Sequence, residues 1–405
     1  MIVRPFRALR PEAAVAEAVA SVPYDVVSID EARALAVGSP LSFLHVTRAE
    51  IDLERTLDPH DPAVYEAART NLARMRSEAQ LVVEPQPMLY VYRLRERDHE
   101  QTGLAGCYSL DEYDRGTIKK HERTRSDKED DRTRHMVAIE AQTGIVFLTY
   151  RQELEIDRLI SDICQTDPLF DFEAVDGVRH TVWRTSTDET AGLVGRFATV
   201  PALYIADGHH RVASAARARR ILERNADGGE RNFFLAVAFP DHQTRILPYN
   251  RTVSNLAGAA SEQFLRSVAA VVPMVEAAEV TPEKGNVGMY VGGRWYRLGL
   301  ATGDSATTAD PVAALDVSRL QERLLEPVLG VADIRTDPRV QFVGGVRGSG
   351  ELERLVDSGQ AAAAFLLAAV TVPELLTIAD AGDIMPPKST WFEPKLRDGL
   401  LTHLI

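Results

Sequence analysis

Cysteine is almost absent: the 405-residue chain holds only Cys107 and Cys164. No CxxC pair occurs, so neither a disulfide framework nor a cysteine zinc site is expected. Long apolar runs are also missing. The longest, from Ala361 to Val372, falls short of the ~20 apolar residues that span a bilayer, and reads as a buried element. No apolar segment follows the basic residue in Met1-Ile2-Val3-Arg4-Pro5-Phe6, so a signal peptide is not expected and a cytoplasmic location is. Positive charge is in deficit, with a net charge of −13. That balance disfavours non-specific binding to nucleic acid or to an anionic membrane, and no partner of either kind is expected. Homo-oligomerisation is left open. There is no GxxxxGK[ST] loop and no GxGxxG fingerprint, and Lys388-Ser389 lacks the glycines that would precede it in a phosphate loop. There is no HExxH. The adjacent His209 and His210 diverge by ~100° on a helix, so they do not share one ion, and a tight transition-metal site is not expected. Repeats and low-complexity tracts are absent.

What is present is an ordinary globular composition, 45% hydrophobic and 26% charged, with length enough for a sizeable core. Strand and helix signals alternate, which indicates an α/β (α+β mixed) class. Ser28 to Glu31 reads as a capping box, and Pro62 to Ala79 as a helix with Val64, Ala68, Leu72 and Met75 on one face. Met88 to Leu94 and Gly103 to Leu110 read as paired strands around a charged loop, Arg95 to Thr102. Asn232 to Phe239 and Thr244 to Leu247 read as a hairpin about Pro240-Asp241-His242. A second hairpin turns at Gly292-Gly293. Gly303 to Ala309 is small and polar and reads as a linker or mobile loop. These signals divide the chain into a phosphate-binding core over 1–252, a small β-rich insertion over 253–310, and an α/β segment over 311–405 that packs back on the core.

The most informative stretch is Leu203-Tyr204-Ile205-Ala206-Asp207-Gly208-His209-His210-Arg211-Val212-Ala213-Ser214-Ala215-Ala216. A short apolar run predicts a buried strand, Asp-Gly a tight turn, and the Ala-rich remainder a helix. Asp207, Gly208, His209, His210 and Arg211 then lie at a helix N-terminus. Unpaired N–H groups and the positive end of the helix dipole favour an anion there. Arg211 adds a planar fork suited to phosphate oxygens. An Arg211→Ala protein is expected to stay folded and lose nucleotide affinity.

Three other segments carry candidate chemistry. Lys119 to His135 mixes charges of both signs. Lys119, Lys120, Arg123 and Arg125 are candidates for neutralising phosphate, and Glu122 and Glu129 for holding Mg²⁺ or acting as a base. Asp25 sits in the apolar segment Val22-Pro23-Tyr24-Asp25-Val26, desolvated for function or bonded as a cap. Near the end, Pro386-Pro387-Lys388-Ser389-Thr390-Trp391 offers a stiffened cationic loop able to close over a phosphate or small polar substrate. Lys388 is a catalytic candidate, and His121, Ser389 and Thr390 are candidates for holding the substrate.

The Asp-Gly-His-His-Arg element between strand and helix resembles the phosphate-binding motif of the ParB/sulfiredoxin superfamily. The chain as a whole resembles the DUF1015 family. The matching segments are Arg4-Pro5-Phe6, Val22 to Val26, Ser42 to Val46, Lys119 to Glu122, Tyr204 to Arg211, Leu247 to Arg251 and Met385 to Thr390. This resemblance implies a ParB/sulfiredoxin-like core with a mixed sheet and peripheral helices. Within the superfamily the nearest enzymatic analogy is to free-serine kinases, which implies ATP or ADP with Mg²⁺ at Asp207 to Arg211 and a catalytic carboxylate, Asp25 or Glu122. No cysteine precedes His209, which argues against the sulfinic-acid repair of sulfiredoxin. The expected function is a nucleotide-dependent small-molecule kinase acting on free L-serine. The alternatives are a nucleotide-binding regulator without kinase activity and, ranked lower, a phosphate-releasing hydrolase.

Overall fold

The computed structural model describes residues 1–78, 81–222, 229–300 and 310–405. The expected linker at Gly303 to Ala309 lies outside the described residues. Two compact units form, Met1–Thr244 with Pro394–Ile405, and Arg245–Glu393. The sequence signals place divisions at 252 and 310 instead. In the Gly292-Gly293 hairpin, the strand Asn286–Val291 pairs with Ala363–Leu366, which in turn pairs with Tyr249–Val253. All belong to one six-stranded sheet. Only the last residues return to the first unit, where His403–Leu404 pairs with Ala141–Gln142.

The first unit is mixed α/β, in agreement with the expected class. Its nine-stranded sheet comprises β1 (Val3–Arg4), β2 (Tyr90–Glu96), β3 (His99–Ser109), β4 (Ile118–Lys119), β5 (Val146–Tyr150), β6 (Phe170–Glu173), β7 (Arg179–Arg184), β8 (Leu203–Asp207) and β9 (Phe233–Pro240). The order is β4-β8-β5-β9-β3-β2-β7-β6, with β1 also on β3. Parallel pairing joins β4 to β8 and β5 to β9; the other pairs are antiparallel. Around the sheet lie α1 (Pro62–Ser77), α2 (Ser126–Ile139) and α3 (His209–Leu222). Asp61 caps α1, whose buried face carries Val64, Ala68, Leu72 and Met75, as the spacing predicts.

Two strand expectations need correction. The charged stretch Arg95 to Thr102 is mostly strand: β2 and β3 continue through it, and Arg93, Arg95 and Glu100 face each other across the pair. Only Arg97 takes a left-handed φ of 54°, at the turn. The expected Pro240-Asp241-His242 hairpin does not form. β9 enters the sheet between β5 and β3, and Ile246–Leu247 pairs instead with Trp391–Phe392 in the second unit. A buried apolar run looks the same whether its partner is the next segment or one far away.

β3 lies so close to its neighbours that Gly103 and Gly106 leave no room for a side chain. A Cβ on Gly103 would stand 2.7 Å from the Ala238 carbonyl oxygen and 2.7 Å from the Phe239 ring. Gly192, on the helix Thr187–Phe197, has open space around it. Gly103→Ala should lower stability by roughly 1–3 kcal/mol through overpacking. Gly192→Ala should raise it by roughly 0.4–1 kcal/mol through the unfolded state. Urea unfolding midpoints check both, and equal shifts would contradict this packing.

Candidate functional site

β8 is buried along its apolar length because sheet neighbours flank both its edges. A bulge against β5 breaks its register between Ile205 and Asp207 and re-aims the strand end. Gly208 follows with φ 97°, a conformation other residues rarely adopt. The turn delivers the chain into α3, whose first internal bond runs from the Val212 N–H to the Gly208 carbonyl. The alanines of α3 are buried because the helix packs on both the sheet and α2, where the Ser214 hydroxyl donates to the Glu129 carbonyl. No acidic side chain occupies the first turn of α3. The amides at its start have no acceptor within the helix. Asp207, just before them, accepts from Lys395 Nζ at 2.8 Å. Burial raises the Asp207 carboxyl, but Lys395 and Arg211 outweigh it and hold the group well below the usual carboxylate range.

Arg211 does not point outward. Its side chain is 7% exposed and passes beside Gly144 and Gly208, where added Cβ atoms would stand 3.1 and 3.2 Å from it. Nη1 donates to the Ile145 carbonyl at 2.6 Å, and Nη2 to both Asp25 oxygens at 2.8 and 3.0 Å. Tyr24 lies under the guanidinium, 5.5 Å from its ring centre, and packs on Arg132 at 4.3 Å. Burial opposes the charge on Arg211, but Asp25, Asp207, Tyr24 and Asp398 together raise its pKa further. The fork expected to face phosphate lies here against Asp25 and the Ile145 carbonyl. The guanidinium is a buried tie between α3, the β5 entry and the Asp25 loop.

Lys119 ends β4 and pairs with Tyr204 of β8, so Lys119 to Glu122 and Asp207 to His210 leave the carboxyl edge of two parallel strands side by side. Lys120 Nζ rests over the Tyr113 ring at 4.6 Å. His121 and His209 are both buried, with ring centres 4.5 Å apart and planes perpendicular. The His121 N–H donates to His209 Nε2 at 3.4 Å, and His209 Nδ1 lies 3.9 Å from Glu122 Oε2. Burial brings His121 down to about 4 and holds His209 well below its ordinary value, His121 adding to the second effect. Both imidazoles are neutral at pH 7. His210 Nε2 accepts the Arg125 N–H at 3.0 Å. Glu129 is paired with Arg217 at 3.2 Å.

Asp25, Lys119, Lys120, His121, Glu122 and Asp207 to Arg211 thus all belong to the first unit. Lys388, Ser389 and Thr390 belong to the second, where Lys388 Nζ lies over the Tyr249 ring at 5.2 Å and the Ser389 hydroxyl donates to the Pro386 carbonyl. Sequence reading missed Asp398 and gave Lys395 no role. The alternation of Lys395, Arg397 and Asp398 within an apolar tail was the available signal. Asp398 is fully buried and its Oδ2 has no hydrogen-bond partner. Burial pushes its carboxyl up to about 7, against the pull of Arg211.

Two variants test this arrangement. Arg211→Ala should cost roughly 2–4 kcal/mol of stability, because it strands carboxylates that now share its charge. A variant as stable as wild type would remove the tie. Asp398 holds its proton to about pH 7 in the folded chain, against about 3.9 unfolded. The folded state therefore binds the extra proton between those values, and stability falls as pH rises through them. Asp398→Asn removes that loss, so the variant should gain on wild type in melting temperature from about pH 4 to about pH 8. Parallel curves would contradict the burial.

No match is found among curated proteins. Several solved structures are distantly similar. A conserved hypothetical protein from Pyrococcus furiosus aligns with 13% identity over 74% of this chain and 95% of its own, at a TM-score of 0.37. A free serine kinase in complex with AMP aligns with 11% identity over 73% and 92%, at 0.36. SbnI with a C-terminal truncation, from Staphylococcus aureus, aligns with 11% identity over 73% and 85%, at 0.40. Scores this low carry no argument about the site. The family model described as a protein of unknown function, DUF1015, matches residues 3–318, and the chain belongs to that family.

Proposed function

We propose that this protein is a nucleotide-dependent kinase of a small hydroxylated metabolite, with free L-serine as the acceptor. One observation carries the reading. α3 opens, through Gly208, from the bulged end of β8, with no acidic residue in its first turn and with Asp207 already neutralised by Lys395. The positive helix end lies beside Lys119 and Lys120, at the carboxyl edge of two parallel strands. Ligand phosphates bind at such edges. The acceptor follows the resemblance to free-serine kinases drawn from the sequence.

In this reading the amides of Gly208, His209 and His210 hold the phosphates of ATP or ADP, and Lys119 and Lys120 balance their charge. Asp25 accepts a hydrogen bond from the substrate hydroxyl. Arg211 acts through Asp25 by fixing it, not by touching phosphate. The hydroxyl oxygen bonds to the terminal phosphorus as the bridging P–O bond breaks, and the hydroxyl proton goes to a carboxylate. Positioning and charge balance are most of what such a transfer requires. Mg²⁺ fits poorly at Glu122, whose neighbours are two imidazoles, since Mg²⁺ takes oxygen ligands. No step here depends on it.

Mass spectrometry of the protein incubated with ATP or ADP and a pool of free amino acids is the test. Phosphoserine should form only with nucleotide, and Lys119→Ala should weaken ADP binding about tenfold, as loss of a charge-assisted contact does. Saturable nucleotide binding without any phosphorylated product would favour a regulatory protein. Unchanged affinity in Lys119→Ala would move the phosphates elsewhere.

A further inference from the structure

His121, Glu122 and His209 come from two segments that the sheet brings together. His121 and Glu122 follow β4, and His209 begins α3 beside its parallel neighbour β8. One ligating atom from each lies within 4.8 Å of the other two. The gap between His209 Nδ1 and Glu122 Oε2 is 3.9 Å, too long for a hydrogen bond. Two metal–ligand bonds of about 2.1 Å would span it. A backbone hydrogen bond to Ile205 orients the His121 ring, as the outer partner of a ligating histidine does. Both imidazoles are buried. Glu122 is partly exposed.

We propose that His121, Glu122 and His209 bind one divalent first-row transition ion, in a two-histidine, one-carboxylate site with positions left open beside the N-terminus of α3. Such a donor set suits the Mn-to-Zn series rather than Mg²⁺. Binding at either nitrogen of His209 leaves the ring proton on the other. The long contact from the His121 N–H is then what binding gives up. Adjacent histidines on a helix do diverge, as expected; the partner of His209 is His121, not His210. The site shares its place with the proposed nucleotide but does not rest on it. The open positions would face phosphate oxygens when a nucleotide is present.

Titration of the chelator-treated full chain with Co²⁺, without nucleotide, tests the proposal. Wild type should take up one ion per chain with visible d–d absorption, and excess Mg²⁺ should not displace it. His242→Gln, an exposed histidine, should leave the bands unchanged. His209→Gln should abolish them, and Glu122→Gln should weaken Co²⁺ binding at least tenfold. No bands in wild type, or bands that survive His209→Gln, would overturn the site. If circular dichroism shows His209→Gln unfolded, unchanged affinity in Glu122→Gln overturns it alone. Because nucleotide is absent, a negative result leaves phosphate binding untouched, and loss of nucleotide binding leaves this site untouched.

Discussion

A buried guanidinium must be compensated, and the way Arg211 is compensated organises the first unit's site. Removing a cation from water costs several kcal/mol unless opposite charge and hydrogen bonds replace the hydration. Here the replacements come from distant parts of the chain: Asp25 from the N-terminal loop, the Ile145 carbonyl from the entry to β5, and the fields of Asp207 and Asp398. Two glycines, Gly144 and Gly208, leave room for the side chain to reach them. A larger residue at either would crowd the arginine.

The local electrostatics follow from that constraint. Asp207 would otherwise oppose an anion at the start of α3. Lys395 and Arg211 neutralise it, so the helix end keeps its positive character. Lysines enter from the neighbouring strand rather than from the helix itself. A chain of net charge −13 can therefore hold an anion locally while its long-range field repels one.

The local parts of this arrangement were legible in the sequence. Strand, Asp-Gly turn and Ala-rich helix are short-range signals, and they fall where the composition predicts them. Which way Arg211 points was not legible, because its partner Asp25 is 186 residues away. A helix N-terminus beside an arginine reads as a phosphate fork until a distant carboxylate claims the buried guanidinium. The His121 and His209 pair is hidden for the same reason, being 88 residues apart and joined only by the parallel pairing of β4 and β8. Ile246–Leu247 reads as the second arm of a local hairpin, while its partner is Trp391–Phe392. Side-chain type is local information; strand pairing is not.

A crystal structure of the protein grown with ADP bears most directly on the claim that the start of α3 is an anion site organised around a buried Arg211. The account predicts phosphate oxygens within about 3 Å of the Gly208, His209 and His210 amides, with Arg211 still bound to Asp25. ADP seated elsewhere, or Arg211 released from Asp25 and turned on to the phosphates, would contradict it.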